Sequence, residues 1–213
     1  MGLSNFNKLD YFLPMALVKE ENALTDLVGG VKAIPSSSPL KVFEGYSFNG
    51  TNNYIDGNLN IKEAKNYITE DAQMEAFIYD GEPTQSNKQV FGAEDTSRVY
   101  LSYQNAPRTL ITVHDGGFLI VNSFPLKQLY SIAREGVNKI AYRRGINVGS
   151  NTDAVTDIPN QTMGIGAMMK NGAGTNHWQG VLSIASFGAN IGVNQVAKSD
   201  HYIQFLEDLG LTL

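Results

Sequence analysis

No cysteine occurs in this 213-residue chain. Disulfide frameworks and thiolate metal sites are therefore excluded, and a cysteine nucleophile with them. Charge is scarce too: 17% of residues are charged, the net charge is -5, and no window concentrates Lys and Arg beyond the pair Arg143-Arg144. A nucleic-acid ligand would need a basic footprint to neutralise its phosphates, so no nucleic-acid partner is expected. Long apolar runs are missing, since nothing approaches the ~20 residues of a membrane-spanning helix. Between Met1 and Val18, Asn5, Asn7, Lys8, Asp10 and Pro14 interrupt any apolar core, and no signal peptide is predicted there. Position 6 is Phe where N-myristoylation asks for Ser or Thr, so no membrane partner is expected.

Catalytic signatures are equally sparse. The three histidines, His114, His177 and His201, stand in a turn, a loop and a terminal helical stretch, and no Gly-x-Ser-x-Gly elbow accompanies them. Zinc would need two closely spaced ligands, and no such pair occurs. Glycoside hydrolysis needs two carboxylates held across the scissile bond. The nearest string, Glu70-Asp-Ala-Gln-Met-Glu75, sets Glu70 and Asp71 side by side, hence on opposite faces of a strand. The residues predict no enzyme.

What is present is hydrophobic material at 42%, with 21 glycines, in a length that suits one domain. From Val42 onward the chain reads as short strands separated by turns. Gly45-Tyr-Ser-Phe-Asn-Gly-Thr-Asn-Asn-Tyr-Ile-Asp56 places two aromatic strands around the tight turn Asn49–Asn52. Gln73–Tyr79 alternates Met74, Ala76 and Ile78 against Glu75, Phe77 and Tyr79, the period of a strand. Gln89–Ala93 with Arg98–Tyr103, and Leu110–Val113 with Phe118–Val121 around His114-Asp-Gly-Gly117, read as hairpins. Leu129–Arg134 and Lys139–Arg143 extend the series, followed by Thr162–Ala167, a polar loop over Lys170–His177, and Gly180–Phe187.

The two ends differ from this middle. Residues 1–40 read as an N-terminal arm, with an apolar cluster at Tyr11–Val18 that suits either a strap packed on the domain or a segment docking into a partner. A docking arm of that kind could be lost without unfolding the body, residues 41–213. At the other end Val196, Ser199, Ile203, Leu206 and Leu209 recur at helical spacing, with Asn194 to cap and Gly210 to close. Tyr202 and Phe205 widen that apolar face, which is predicted to pack on the body.

Phe48-Asn-Gly-Thr-Asn-Asn-Tyr-Ile55, Gln73–Tyr79, Phe91-Gly-Ala93 with Arg98–Leu101, Lys139–Val148, Ile165-Gly-Ala167 and Trp178-Gln-Gly180 follow one another in an order that resembles concanavalin A-like (laminin G-like) domains. The helix running into Phe205-Leu-Glu-Asp-Leu-Gly210 is similar to a variant found in tailed-bacteriophage structural proteins. The resemblance implies an all-β fold, an antiparallel jelly-roll β-sandwich with an N-terminal arm and a C-terminal amphipathic helix. It also implies a virion protein assembled in the cytoplasm of the host bacterium: a decoration, fibre or tail component. Such a protein would work as a homo-oligomer or in many copies, touch other virion proteins through its arm, and bind host-surface carbohydrate. A bacterial lectin acting alone is the alternative, and a divergent polysaccharide-degrading enzyme relying on Glu75 is the third reading.

Relatives of this kind bind calcium through loop oxygens, and Asn52, Asn53, Asp56, Asp95, Asp153 and Asp157 are oxygen donors of the required type. Asn at positions 49 and 53 lowers the ligand charge, and the residues predict no cofactor and no metal. For sugar recognition the loop Asn171–Trp178 supplies amides, a histidine and the sole tryptophan. Trp178 is predicted to be buried, which leaves Asn176 and His177 as rim contacts beside Asn52, Asn53 and Asp95.

Overall fold

The computed structural model describes residues 7–81, 88–103, 108–112, 119–122, 125–154, 157–192 and 195–213. The strands in chain order are β1 (Leu9–Leu13), β2 (Ile34–Ser36), β3 (Leu40–Val42), β4 (Gly45–Asn49), β5 (Tyr54–Asn60), β6 (Asp71–Gly81), β7 (Lys88–Glu94), β8 (Arg98–Tyr103) and β9 (Arg108–Thr112). They continue with β10 (Leu119–Asn122), β11 (Gln128–Glu135), β12 (Asn138–Arg143), β13 (Ile146–Thr152), β14 (Thr162–Ile165), β15 (Met168–Lys170), β16 (Ala173–Thr175) and β17 (Gln179–Gly188). A short helix α1 (Glu20–Ala23) and a terminal helix α2 (Gln195–Asp208) accompany them.

These strands form two sheets. One runs β13-β12-β11-β6-β17-β4-β3, with β1 added against β17; the other runs β10-β9-β8-β7-β14-β5-β2, with β15 and β16 attached. The protein is an all-β jelly-roll sandwich closed by one helix. Its core lies between the sheets, where β6 turns Ala72, Met74, Ala76 and Ile78 inward and β17 turns Leu182, Ala185 and Phe187 inward. A second apolar layer lies on the outer face of the first sheet, where Phe77, Leu129 and Ile184 meet Tyr202, Ile203 and Leu206 of α2. The helix thus packs on the body, and Gly210, at φ +91, ends it.

The cluster at Tyr11–Val18 is the packed strap and not a free docking segment. All of β1 is buried, with Tyr11 and Leu13 in the inter-sheet core and Leu9 and Phe12 under α2. Buried on both faces, it reads as a near-continuous apolar run instead of an alternation. Two carboxylates hold it in place: Asp10 accepts the amides of Lys65, Asn66 and Tyr67, and Asp26 accepts the Phe12 amide at 2.6 Å. Removing this segment would strip two aromatic side chains, Tyr11 and Phe12, from the interior.

Three expectations about connections need correction. The turn at Asn49–Asn52 does not join a hairpin, because β4 pairs with β3 and β17 in one sheet and β5 pairs with β2 and β14 in the other. It is a corner between sheets, and its side-chain-to-backbone bonds look the same in sequence as those of a hairpin. The predicted strand Thr162–Ala167 breaks at Gly166, whose φ of +76 sends the chain into β15, parallel to β7. The predicted polar loop after Lys170 contains a hairpin, β15 to β16, turned by Asn171 and Gly172 at φ +52 and +76. Strands β9 and β10 do pair as expected, while His114 and its turn, and the capping Asn194, lie outside the described residues.

Candidate functional site

The outer face of the first sheet is not covered along its whole length. Helix α2 seals one half; at the other half, where β4 and β6 end and β17 begins, the face holds a groove of about 490 Å³. Ser47 and Asn49 from β4, Gln179 and Val181 from β17, and Asp80 from β6 line it. Gln179 pairs with Asn49 and Val181 with Ser47 across the ladder, so these four side chains share one face.

Asp80 joins them because of a bulge. Along β6, Gln73, Glu75, Phe77 and Tyr79 point outward, and strict alternation would turn Asp80 into the core. The register between β6 and β17 shifts, so that Leu182 opposes Ile78 while Val181 opposes Asp80. Tyr79 is the extra residue, and Asp80 is thereby aimed out with Val181, exposed to solvent. The Gly81 amide donates to Asp80 Oδ1 at 2.8 Å and fixes the carboxylate close to its own backbone.

The floor is bare backbone. A Cβ on Gly81 would lie 2.4 Å from the Trp178 ring, and one on Gly180, at φ +149, would lie 2.3 Å from the Asp80 carbonyl. Two facing glycines therefore let the indole of Trp178, buried as predicted, lie directly behind the groove.

One wall is set by the corner between the sheets. Asn49 Oδ1 accepts the amides of Thr51 and Asn52, Asn53 Oδ1 accepts the Asn49 amide at 2.7 Å, and Asn49 Nδ2 donates to Asn52 Oδ1 at 2.9 Å. Asn52 and Asn53 therefore position the wall and do not line the groove. The Gly50 amide donates to the Trp178 carbonyl, and Lys88 donates through Nζ to the Gly50 carbonyl at 2.8 Å.

Asn176 and His177 stand just upstream of Gln179 but belong to the opposite sheet's side of this corner. The Asn176 carbonyl accepts the Gln89 amide, and the His177 ring tilts against Tyr54 at 5.8 Å between centroids. Burial, together with nearby Lys88, holds His177 below its ordinary value of 6.5. Asp95 is not part of this end at all. It follows the far end of β7, roughly 20 Å from Lys88 at ~3.3 Å per residue. There burial raises the Asp95 pKa, but amide donors from Ser97, Asn160 and Thr96, with the Ser97 hydroxyl, outweigh it and hold the carboxyl below 3.8.

The remaining oxygen donors are dispersed. Asp153 pairs with the fully buried Lys139 at 2.7 Å, Asp157 with Lys62 at 2.6 Å, and Asp56 accepts the Asn58 amide. Among the described residues no group of three or more acidic or histidine side chains converges on a point that could hold a metal ion.

Sequence reasoning missed Ser47, Asp80 and Gln179. Ser47 sits in a strand already recognised, and its outward parity was available; Gln179 stands one residue before the predicted strand start at Gly180. Asp80 could not be found that way, because alternation aims it at the core.

No family model and no curated protein matches the chain. Solved structures do. A mutant of Trypanosoma rangeli sialidase displaying trans-sialidase activity superposes with a TM-score of 0.68 at 15% identity, over 97% of this chain and 34% of that one. This chain thus spans about a third of the sialidase's length. Domain 4 of an extracellular arabinanase from Geobacillus stearothermophilus, solved with arabinotriose, gives 0.58 at 13% identity over 90% of this chain and 98% of that domain. The carbohydrate-binding module of a Ruminococcus gnavus sialidase, bound to α2,3-sialyllactose, gives 0.50 at 9% identity over 61% and 82%. At these identities what is shared is the fold; the three neighbours named are a sialidase, a domain of an arabinanase and the carbohydrate-binding module of a sialidase.

Proposed function

We propose that this protein is a non-enzymatic glycan-binding module and that the groove beside α2 is its binding surface. The observation that carries the reading is the groove's construction: hydroxyl, amide and carboxylate side chains from three strands around a floor of two glycines backed by tryptophan. Sugar hydroxyls are recognised by such planar acceptors and donors, and a bare backbone lets a ring come close. The complexes with arabinotriose and sialyllactose formed by two structural neighbours support the same class of ligand.

The non-enzymatic part rests on carboxylate placement. Among the described residues Asp80 is the sole carboxylate lining the groove. Asp71 and Glu75 share the outer face of β6 four residues apart, ~13 Å along the strand, beyond the roughly 6.5–9.5 Å that an inverting pair uses. Glu75 is moreover buried under α2, paired with Lys198.

The setting we propose is the particle of a tailed bacteriophage, where many copies would let weak sites act together. Its support is the ordered set of sandwich motifs closed by a helix. Immunogold labelling of purified particles tests it, and particles free of label would overturn it.

The glycan reading is tested by an array followed by calorimetry on the full chain. Retention of at least one oligosaccharide is expected, weakened roughly 2–10-fold by Ser47→Ala or Gln179→Ala, the worth of one hydrogen bond each. Binding that neither substitution alters would place the site elsewhere, and no retained glycan would end the proposal.

A further inference from the structure

We infer that the groove selects uncharged sugars and turns away acidic ones, with Asp80 as the selecting residue; this rests on the groove being the glycan site. Asp80 is the one charged side chain among the described residues that line it, and the others offer a hydroxyl, two amides and an isopropyl group. A carboxylated sugar held there would set its anion near that carboxylate. Recognition of a sugar carboxylate calls for a guanidinium fork or an equivalent cation. Two described cations stand near this end, and neither lines the groove: Lys88 is committed to the Gly50 carbonyl at 2.8 Å, and Lys127 to the Thr212 carbonyl at 2.9 Å, over the ring of Tyr79.

Asp80 suits a neutral ligand for the same reasons. The Gly81 amide fixes one carboxylate oxygen, so the group is oriented before a ligand arrives and little side-chain freedom is lost on binding. An ionised carboxylate accepts from two neighbouring hydroxyls at once, and hydrogen bonds to charged acceptors are the stronger kind. Vicinal diols present that pair, and unmodified pentoses and hexoses carry them. The bulge at Tyr79 gives the assignment its structural weight, because it turns an aspartate outward at a position where alternation would bury it. Two other features carry less. The apolar hollow beside α2 offers no clue to what covers it, and the Glu75–Lys198 pair is sealed from solvent, out of a ligand's reach.

Matched probes that differ in charge alone give the test: oligogalacturonides as free acids and as methyl esters, with arabinotriose as a neutral reference, titrated in EDTA. The neutral probes are expected to bind at least about tenfold more tightly than the acids, the size of a like-charge contact near a surface. Asp80→Asn should weaken neutral binding several-fold and bring acid and ester together, while Asp80→Lys should reverse the order. Melting temperatures near the parent's would show that both variants fold. Acids bound as well as esters, through a site that Gln179→Ala weakens, would overturn the selectivity and leave the groove as the glycan site. Failure to bind any probe or array glycan would overturn the groove reading itself.

Discussion

The outer face of one sheet is divided into two halves that handle polar groups in opposite ways. Under α2, Glu75 accepts from Gln73, Ser131 and Ser186 at 2.8–2.9 Å and pairs with Lys198 at 2.8 Å, both charged side chains being 1% exposed. In the uncovered half, Ser47, Asn49, Asp80 and Gln179 face solvent around a hollow. The covered carboxylate has its partners supplied by the protein, whereas the open one has, among the described residues, the Gly81 amide and room beside it. A buried charge is tolerable when it is paired and hydrogen-bonded inside the protein, whereas the open carboxylate keeps acceptor capacity within a ligand's reach.

Breaking the covered half should have the largest effect. Burial lowers the Lys198 pKa and Glu75 opposes that shift, so the ammonium depends on its partner. Lys198→Met is expected to cost about 3–5 kcal/mol in urea unfolding, because Glu75 is left buried without its counter-charge. The double substitution Glu75→Gln with Lys198→Met should recover a large part of the loss, and simple additivity of the two would contradict the pairing.

The floor of the open half comes next. Gly81→Ala forces a methyl group against the Trp178 ring and should cost about 1–3 kcal/mol, with a matching fall in melting temperature. An unchanged melting temperature would mean that the indole does not lie behind the groove.

Acid should affect the ends of the sandwich in two stages. Because the folded protein holds His177 below 6.5, the unfolded chain takes up that proton first, and stability declines as pH falls from about 6.5. Asp153 is held below 3.8 by its hydrogen bond from Lys139, so its contribution is present above that value and is lost as pH falls through the lowered one. His177→Asn should flatten the first stage and Asp153→Asn the second, as read from unfolding midpoints between pH 7 and pH 3.

The smallest stability effect is expected at Asp80, whose replacement by Asn should stay within about 0.5 kcal/mol of the parent. A large loss there would show that the carboxylate serves the fold, and the two halves would no longer differ in kind.

Much of the fold was legible because local rules hold in most strands. Met74, Ala76 and Ile78 alternate as a half-buried strand should, and the terminal helix shows its period. The site was less legible, for three physical reasons. Asp80 depends on a bulge that follows from pairing with β17 and not from β6 itself. Asn49–Asn53 forms the same local bonds whether it closes a hairpin or turns a corner, so its capping role was visible and its place between two sheets was not. Asn176 and His177 were chosen for residue type, although backbone pairing with Gln89 commits them to the other sheet. Asp95 was chosen on the same ground and sits at the far end of a strand.

The bulge at Tyr79 makes the site a matter of phase. Closing the bulge, so that Tyr79 paired with Val181 in unbroken register, would keep every residue of the strand and its neighbours. Yet every position after it would change sides: Asp80 would swing into the sandwich and Gly81 would no longer meet the tryptophan. A chain whose β6 ran past β17 without the bulge could therefore share its fold and lack its groove. Comparison by overall shape would not separate the two, and comparison by register would.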